Sequence, residues 1–387
     1  MSPAPHVVVI GAGTLGLFTA VNLVERGAQV TVLEAQSVAS GSSGRSVGVV
    51  GTQFTHAFDL MLRSHALRQF RDWEARGMRF NRIGYLRLAR TAAQMALFEE
   101  TAALRAAAGF RSTLYRGRDL LQLVPDMDLE GLAGGSFGPD DGFIDPHELC
   151  TMLAQHLRDE GGLLRQSCRL EGIVRRTGGY RLETTGEALD CDVVVNAAGA
   201  WAPQVAAMFG QTLHVQPERH EAVTILLDRP LGYTMPMVMD LVNGQGTGLN
   251  FRHDKPGELI AEIHHVEDAG PEDPDRYNDQ CDEASKVHLA ELLLERLPDL
   301  PGARLGRGWA GLYPTTADHR PFVGPIDPDE PLLVTAAGAG GYGIQLSPVI
   351  GQVAADWAVH GAPVSAPGTE ALLPTCERNV DRLSVQA

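Results

Sequence analysis

The sequence predicts an α/β fold, a Rossmann-like domain into which a mainly antiparallel β-sheet domain is inserted. Three observations lead there. The apolar run Val7-Val-Val-Ile10 passes directly into the glycine-rich turn Gly11-Ala-Gly-Thr-Leu-Gly16. A second apolar run, Asp192-Val-Val-Val-Asn196, ends in Ala197-Ala-Gly199 and reads as a buried strand of a parallel sheet. Residues 213–265 instead alternate apolar and polar, with turn signals at Asn243-Gly244 and Pro256-Gly257, the pattern of antiparallel strands.

In the first unit the order carries the meaning. Strand, glycine turn, a helix over Leu17–Arg26, a second strand over Gln29–Leu33 and the acid Glu34 follow one another. Gly11 suits the tight turn, Gly13 lets backbone approach a pyrophosphate, and Gly16 lets the helix pack close to the strand. Ala12, Thr14 and Leu15 complete the turn, and the amides at the helix start face the phosphates. Glu34, with Ala35 beside it, is placed to accept hydrogen bonds from a ribose diol. That contact suits NAD or FAD and excludes NADP. The chain has no second glycine fingerprint, which argues against a reductase holding two dinucleotides.

Composition narrows the class. A chain of 387 residues predicts two interleaved domains. Apolar residues at 44% and charged residues at 21% describe a soluble globular protein, and no apolar run reaches bilayer-spanning length. The first strand starts within a few residues of Met1, leaving no room for a secretory signal, so a cytoplasmic location is expected. Cys150, Cys168, Cys191, Cys281 and Cys376 are scattered and form no CxxC, which argues for reduced thiols over disulfides or zinc. A net charge of −16 disfavours nucleic acid and anionic membranes as partners and points to small-molecule chemistry. No paired-histidine metal motif is present, which argues against metal-dependent hydrolysis.

Elsewhere, Asp145-Pro146-His147-Glu148 predicts a capped helix with Leu149, Met152, Leu153 and Leu157 on one face, ended by Gly161-Gly162. Short strands are predicted over Cys168–Val174 and Tyr180–Thr184. Glu267–Asp282, rich in Asp, Glu and Pro, reads as a solvated loop before a helix near Ala284–Arg296 with leucines at 289, 292, 293 and 294. The α/β character returns near Trp309. The expected division is residues 1–80, 140–212 and 308–387 for the dinucleotide domain, and 81–139 and 213–307 for the substrate domain.

Five segments then carry a resemblance: the fingerprint with Glu34; Ala39-Ser-Gly-Ser-Ser-Gly-Arg-Ser-Val-Gly48; Asp141-Gly-Phe-Ile-Asp-Pro146; Val193-Val-Val-Asn-Ala-Ala-Gly-Ala-Trp201; and the C-terminal pair Gly311-Leu-Tyr-Pro-Thr-Thr-Ala-Asp318 and Ala337-Gly-Ala-Gly-Gly-Tyr-Gly-Ile-Gln-Leu-Ser347. On these the chain resembles the FAD-dependent D-amino acid oxidase superfamily. The branch is that of sarcosine oxidase, glycine oxidase and the flavin-bearing β subunits of heteromeric amine oxidoreductases. The resemblance implies a GR2-type flavoprotein with FAD as cofactor. It implies cofactor contacts from Ser42, Ser43, Arg45, Ser46, Ala198, Gly199, Trp201, Gly311 and Tyr313. It adds Gly338, Gly340, Gly341, Tyr342, Gly343, Ile344 and Gln345, which precede a helix near Leu346 whose backbone donors can stabilise the N1/O2 edge of a reduced flavin. Family members that bind flavin covalently use a cysteine two residues before the position of Tyr313, or a histidine in the loop here reading Arg45-Ser-Val-Gly48. This chain has Gly311 and no histidine in that loop, so non-covalent FAD is expected.

The activity so implied is oxidation of a C–N bond in an amino acid or secondary amine. Hydride passes from the carbon bearing a neutral amine to flavin N5, and the resulting imine is hydrolysed. The acceptor is dioxygen or another oxidant. A catalytic subunit needing partner subunits and a non-catalytic FAD-binding assembly factor are the alternatives. His264 matches an active-site histidine of the family, and since neighbouring strand residues face opposite ways, only one of His264 and His265 lines the pocket. Tyr342 and Gln345 border the flavin, and Arg252 is a candidate for a substrate carboxylate; His56, His220 and Tyr85 follow. Two departures stand out. Ile260 replaces a lysine that promotes reaction with oxygen, and Gln345 replaces a lysine that binds the substrate carboxylate, whose arginine partner has no counterpart in Ser46–Val50. The substrate is therefore not expected to be held as sarcosine is.

Overall fold

The computed structural model describes residues 4–241, 248–264 and 270–380, with the backbone alone for Leu241 and His264. A six-stranded sheet runs in the order Phe322–Pro325, Leu333–Ala337, Val193–Asn196, His6–Ile10, Gln29–Leu33, Leu163–Arg165. Its pairs are parallel except the first, which is antiparallel. From the inner strand His6–Ile10 the chain moves to Gln29–Leu33 on one side, while the neighbour on the other side, Val193–Asn196, comes from much later. Such a reversal opens a crevice at the carboxyl ends of the strands, where open α/β sheets bind ligands.

Alternation along the inner strand separates two packing layers. Val7 and Val9 join the helices Thr14–Glu25, Pro146–Asp159 and Gly343–His360 through Leu17, Phe18, Leu149, Val349 and Val353. Val8 and Ile10 join Tyr180 and Leu182 of a small sheet made of Leu170–Arg176, Gly179–Thr184 and Leu189–Cys191. The Asp145 carboxylate caps its helix as expected, accepting from His147 N at 2.8 Å and Glu148 N at 3.2 Å. Two helices begin earlier than their sequences suggest. Leu17 N donates to Gly13 O at 2.9 Å, which brings Thr14 into the first turn. The C-terminal helix opens at Gly343 although Pro348 lies inside it; Pro348 has no N–H for Ile344 O, and Ser347 Oγ donates to that oxygen at 2.8 Å instead.

The second large sheet has eight strands in the order Arg304–Thr315, Gln216–Leu226, Glu258–His264, Gly248–Lys255, Met237–Leu241, Tyr85–Ala89, Gly134–Gly138, Thr113–Arg116. It is antiparallel apart from the Met237–Leu241/Tyr85–Ala89 pair. Pro256-Gly257 turns between two of its strands, with Gly257 at φ +78°, whereas Asn243-Gly244 lies outside the described residues. Arg304–Thr315 remains in this sheet up to Thr315, later than the boundary of 308 read from the sequence.

One face of this sheet is apolar. Val223, Ile225, Leu249, Phe251, Leu259, Ala261 and Ile263 pack against Leu289, Leu293 and Leu297 of and after the helix Glu283–Arg296. Leu294 on that helix stays 48% exposed, so the leucine run covers more than one side. Register puts Glu218, His220, Asn250, Arg252, Ile260, Glu262, Trp309 and Tyr313 on the opposite face. Glu218, His220, Asn250 and Arg252 are nonetheless buried. Polar side chains are seldom buried without partners or function, and this face looks toward the crevice.

Candidate active site

The crevice opens into a cavity of about 340 Å³ bounded by three glycine turns. Gly11 has φ +106°, and a Cβ there would lie 2.5 Å from Ala197 O, so the tight turn admits no other residue without strain. A Cβ on Gly16 would run into Gly11 O, which is the close helix–strand packing read from the fingerprint. At Gly199 a Cβ would meet nothing within 4 Å, and at Gly340 only Thr315 Oγ1 at 3.9 Å. Side chains at these two glycines would take up open space.

Two long helices start at this cavity, Thr14–Glu25 and Gly343–His360. Their first amides lack intrahelical acceptors and their dipoles favour an anion. Ser43 Oγ accepts from Thr14 N at 3.0 Å, tying the loop Ser42–Arg45 to the first of them. Glu34 Oε2 accepts from Ala12 N and Oε1 from Gln36 N, both at 2.8 Å. The acid is thus fixed at the mouth of the crevice. Helix termini, a positioned acid and glycines that leave room fit an adenine dinucleotide with an unphosphorylated ribose.

Most of the cofactor residues read from the sequence line this cavity. Gly11, Gly13, Thr14, Leu15, Glu34 and Ala35 form one wall, and Ser42, Ser43, Arg45 and Ser46 a second. Ala198, Gly199 and Trp201, with Tyr313 and the run Gly338, Gly340, Gly341, Gly343 and Ile344, complete it. Ala12, Gly16, Gly311, Tyr342 and Gln345 are not among the lining residues. A Cβ on Gly311 would sit 3.0 Å from Arg45 Cβ, so the missing side chain lets this strand lie against the loop.

The acidic stretch before residue 283 is more than a solvated loop. Pro274, Asp275 and Tyr277 line the cavity. Trp201 Nε1 donates to Asp275 Oδ1 at 2.9 Å, Arg45 Nη2 to Asp279 Oδ2 at 3.1 Å, and Arg219 Nη1 to Asp282 Oδ2 at 3.1 Å. Cations and an indole from distant segments partner its carboxylates, and the loop covers the crevice.

Above the crevice the polar sheet face is fastened to the loop that follows Arg45. Trp309 Nε1 donates to Arg45 O at 2.8 Å, and Arg252 Nη2 to Val47 O at 2.8 Å. Arg252 Nη1 also bonds Asp254 Oδ1 at 2.9 Å, and the guanidinium lies 3.7 Å from the Phe143 ring centroid. Both Nη atoms are therefore engaged within the chain. His220 stacks on Tyr313 with centroids 3.8 Å apart, and burial pushes its pKa down to about 4, so it is neutral at pH 7. The backbone of His264 pairs with Gly248, while its side chain and His265 lie outside the described structure. Tyr85, buried, donates from its hydroxyl to Met239 Sδ at 3.2 Å. His56 is the residue before the helix Ala57–Ala75.

Gln345 and Tyr342 come together around a residue the sequence did not single out. Arg63, 3% exposed, donates from Nε to Gln345 Oε1 at 3.3 Å. Its guanidinium carbon lies 3.3 Å from the Phe54 centroid and 5.3 Å from that of Tyr342. Burial pulls its pKa down, resisted chiefly by Asp59. Gly51 N also donates to Gln345 Oε1, at 3.4 Å, which orients the amide. Next to it, Asp141 accepts from Thr52 N at 3.0 Å and Thr52 Oγ1 at 2.8 Å, and burial raises its pKa to about 7. The sequence signal for Arg63 is an arginine within the otherwise apolar stripe Leu60, Leu67 and Phe70 of its helix. Glu262 was likewise missed, although it shares one side of its strand with Ile260.

Comparison with known proteins agrees with this geometry. Residues 6–357 match the family described as DAO: FAD dependent oxidoreductase. Glycine oxidase of Geobacillus kaustophilus is 26% identical over 364 residues, 90% of this chain and 92% of that protein. Human mitochondrial sarcosine dehydrogenase is 27% identical over 381 residues, which span 92% of this chain and 40% of that longer protein. Among solved structures, L-proline dehydrogenase from P. horikoshii superposes with a TM-score of 0.84 at 25% identity, covering 97% of this chain and 98% of that one. The match extends over nearly the whole chain, and the crevice supplies its physical counterpart: the protein belongs to the DAO family of FAD dependent oxidoreductases.

Proposed function

We propose that the protein oxidises the C–N bond of a small amino acid or secondary amine bound between the crevice and the polar face of the second sheet. The observation that carries this reading is the burial of a polar face directly against the loop Arg45–Val47, held there by Arg252 and Trp309. FAD bound in the crevice supplies the hydride acceptor. The relatives act, by their names, on glycine, sarcosine and L-proline, which sets the size of molecule to be tested.

The chain's own groups divide the remaining work. Arg63 is a buried cation whose carboxylate neighbour, Asp59, is itself partly exposed. With the Gln345 amide NH₂ it forms a donor pair suited to a carboxylate, in place of the family's lysine and arginine. Phe54 and Tyr342, in edge contact at 5.6 Å, flank the guanidinium and keep water away. His264 remains a candidate from the strand position it occupies. Ile260, buried and opposite Arg252 in the sheet, offers no charge to an oxygen-derived anion, so dioxygen is proposed to be a slow acceptor.

The test is anaerobic mixing of the yellow protein with glycine, sarcosine, L-proline and other amino acids and cyclic amines. Bleaching of the visible flavin band by one class of amine supports the reading. Bound FAD that no amine reduces would refute it and favour an assembly role.

A further inference from the structure

Glu262 is an acid of the polar face whose hydrogen-bond partner, Asn250, is neutral. Leu259, Ala261 and Ile263 of its strand enter the apolar core, so Glu262 belongs to the opposite face with Ile260. It lies across from Asn250 on one neighbouring strand and Ala222 on the other. Asn250 Nδ2 donates to Glu262 Oε1 at 3.1 Å, and among the described residues no cation lies within ion-pair distance of it.

Among the described residues the groups that act on it are few. Arg252 comes from the strand of Asn250, His220 from Gln216–Leu226, and Tyr313 from Arg304–Thr315. The Nη atoms of Arg252 are committed to Val47 O, His253 O and Asp254. His220 is neutral at pH 7 because burial lowers its pKa to about 4. Burial holds the Glu262 carboxyl above its ordinary range, and the Asn250 hydrogen bond resists this. A carboxylate without a close cation, in a covered site, carries a cost that a cationic ligand would offset.

We propose that Glu262 receives the substrate's amino group, binding it as the ammonium and removing one of its protons before oxidation. The inference rests on the amine-oxidation reading. The exchange balances: R₂CH–NH₂R⁺ and Glu–COO⁻ become R₂CH–NHR and Glu–COOH. The C–H electron pair then leaves as hydride to the cofactor while the nitrogen lone pair forms the C=N bond. Glu262 afterwards returns its proton to solvent. Arg63 with Gln345 at one end and Glu262 at the other would read the two charges of an amino-acid zwitterion.

The test compares the FAD-loaded protein with Glu262→Gln, which keeps the size of the side chain and removes its charge, and with Glu262→Asp, which keeps the charge. The amine is whichever of glycine, sarcosine and L-proline reduces the wild-type flavin fastest. Its oxygen isostere, glycolate, methoxyacetate or tetrahydrofuran-2-carboxylate respectively, is bound without turnover and read by the shift of the flavin spectrum. In Glu262→Gln the amine should bind and reduce at least about tenfold more weakly and slowly, and the pH profile of reduction should move toward the ionisation of the free amine. The isostere should bind within about twofold of wild type or more tightly, because an anion no longer faces a carboxylate. Glu262→Asp should restore part of the loss. Equal weakening for amine and isostere would make Glu262 structural and overturn the proposal, as would wild-type reduction with an unchanged pH profile in Glu262→Gln. If no amine reduces wild-type flavin, the functional reading itself fails and takes the proposal with it.

Discussion

Asp141→Asn separates the electrostatics of the loop beneath the substrate face from its hydrogen bonding. Asp141 is 2% exposed, and its pKa is raised from 3.8 to about 7, first by burial, with the Thr52 and Gln53 hydrogen bonds opposing. A raised carboxyl pKa means the folded state prefers the neutral acid. Its contribution to stability is complete below the unfolded pKa near 4 and is lost as pH rises through about 7. At 1.36 kcal/mol per pKa unit, the ionisation penalty is about 1.5 kcal/mol at pH 5 and about 4 kcal/mol at pH 8. Asparagine never pays that penalty, and its amide can still accept from Thr52 N while donating toward Thr52 Oγ1. Denaturant unfolding of both proteins at pH 5 and pH 8 should therefore show the variant gaining about 2–3 kcal/mol on wild type between the two pH values. A difference in stability that stays the same at pH 5 and pH 8 would mean that Asp141 carries no ionisation penalty in the folded protein.

Three further outcomes are expected. Glu34→Ala should weaken FAD binding by about 1.5–3 kcal/mol in an equilibrium titration, one charge-assisted group's worth, whereas Gly13→Val, already 3.0 Å from Ser43 Oγ at its Cβ, should purify without flavin. Acid precipitation should release all the yellow colour, since Gly311 stands where a linking cysteine would and Ser46-Val47 where a linking histidine would; colour retained in the pellet would contradict this. Ile260→Lys should quicken reoxidation by air more than it changes reduction by amine, because a cation there would stabilise developing superoxide. A null result in stopped flow would place oxygen activation elsewhere.

How much was legible in the sequence follows from the range of the forces involved. The crevice was readable because the glycine turn is a local pattern: Gly16 is required by Gly11 O of the same motif, although the atom that crowds Gly11 is Ala197 O of a distant strand. The polar face was half readable. The family resemblance singled out Ile260 and His264, and Glu262 stands between them in the sequence, but only the register with Asn250 and Ala222 shows what surrounds it. Arg63 was hidden for a stronger reason: its partners Gln345 and Tyr342 come from a C-terminal loop that meets its helix only in the folded chain, and Phe54 from the stretch before that helix. The acidic stretch before residue 283 is largely exposed, as its composition suggests, but composition does not show what its carboxylates bind. Only the fold brings Arg45, Arg219 and Trp201 to them.

The central claim is that a C–H bond beside nitrogen is broken by hydride transfer in the space between crevice and polar face. The most direct measurement is anaerobic stopped-flow reduction of the flavin by one active amine, protiated and then deuterated at the carbon that bears the nitrogen. Deuteration should slow loss of the visible flavin band while leaving the affinity for the amine unchanged. Equal rates when reduction itself is rate-limiting, or a flavin that no amine reduces, would contradict it.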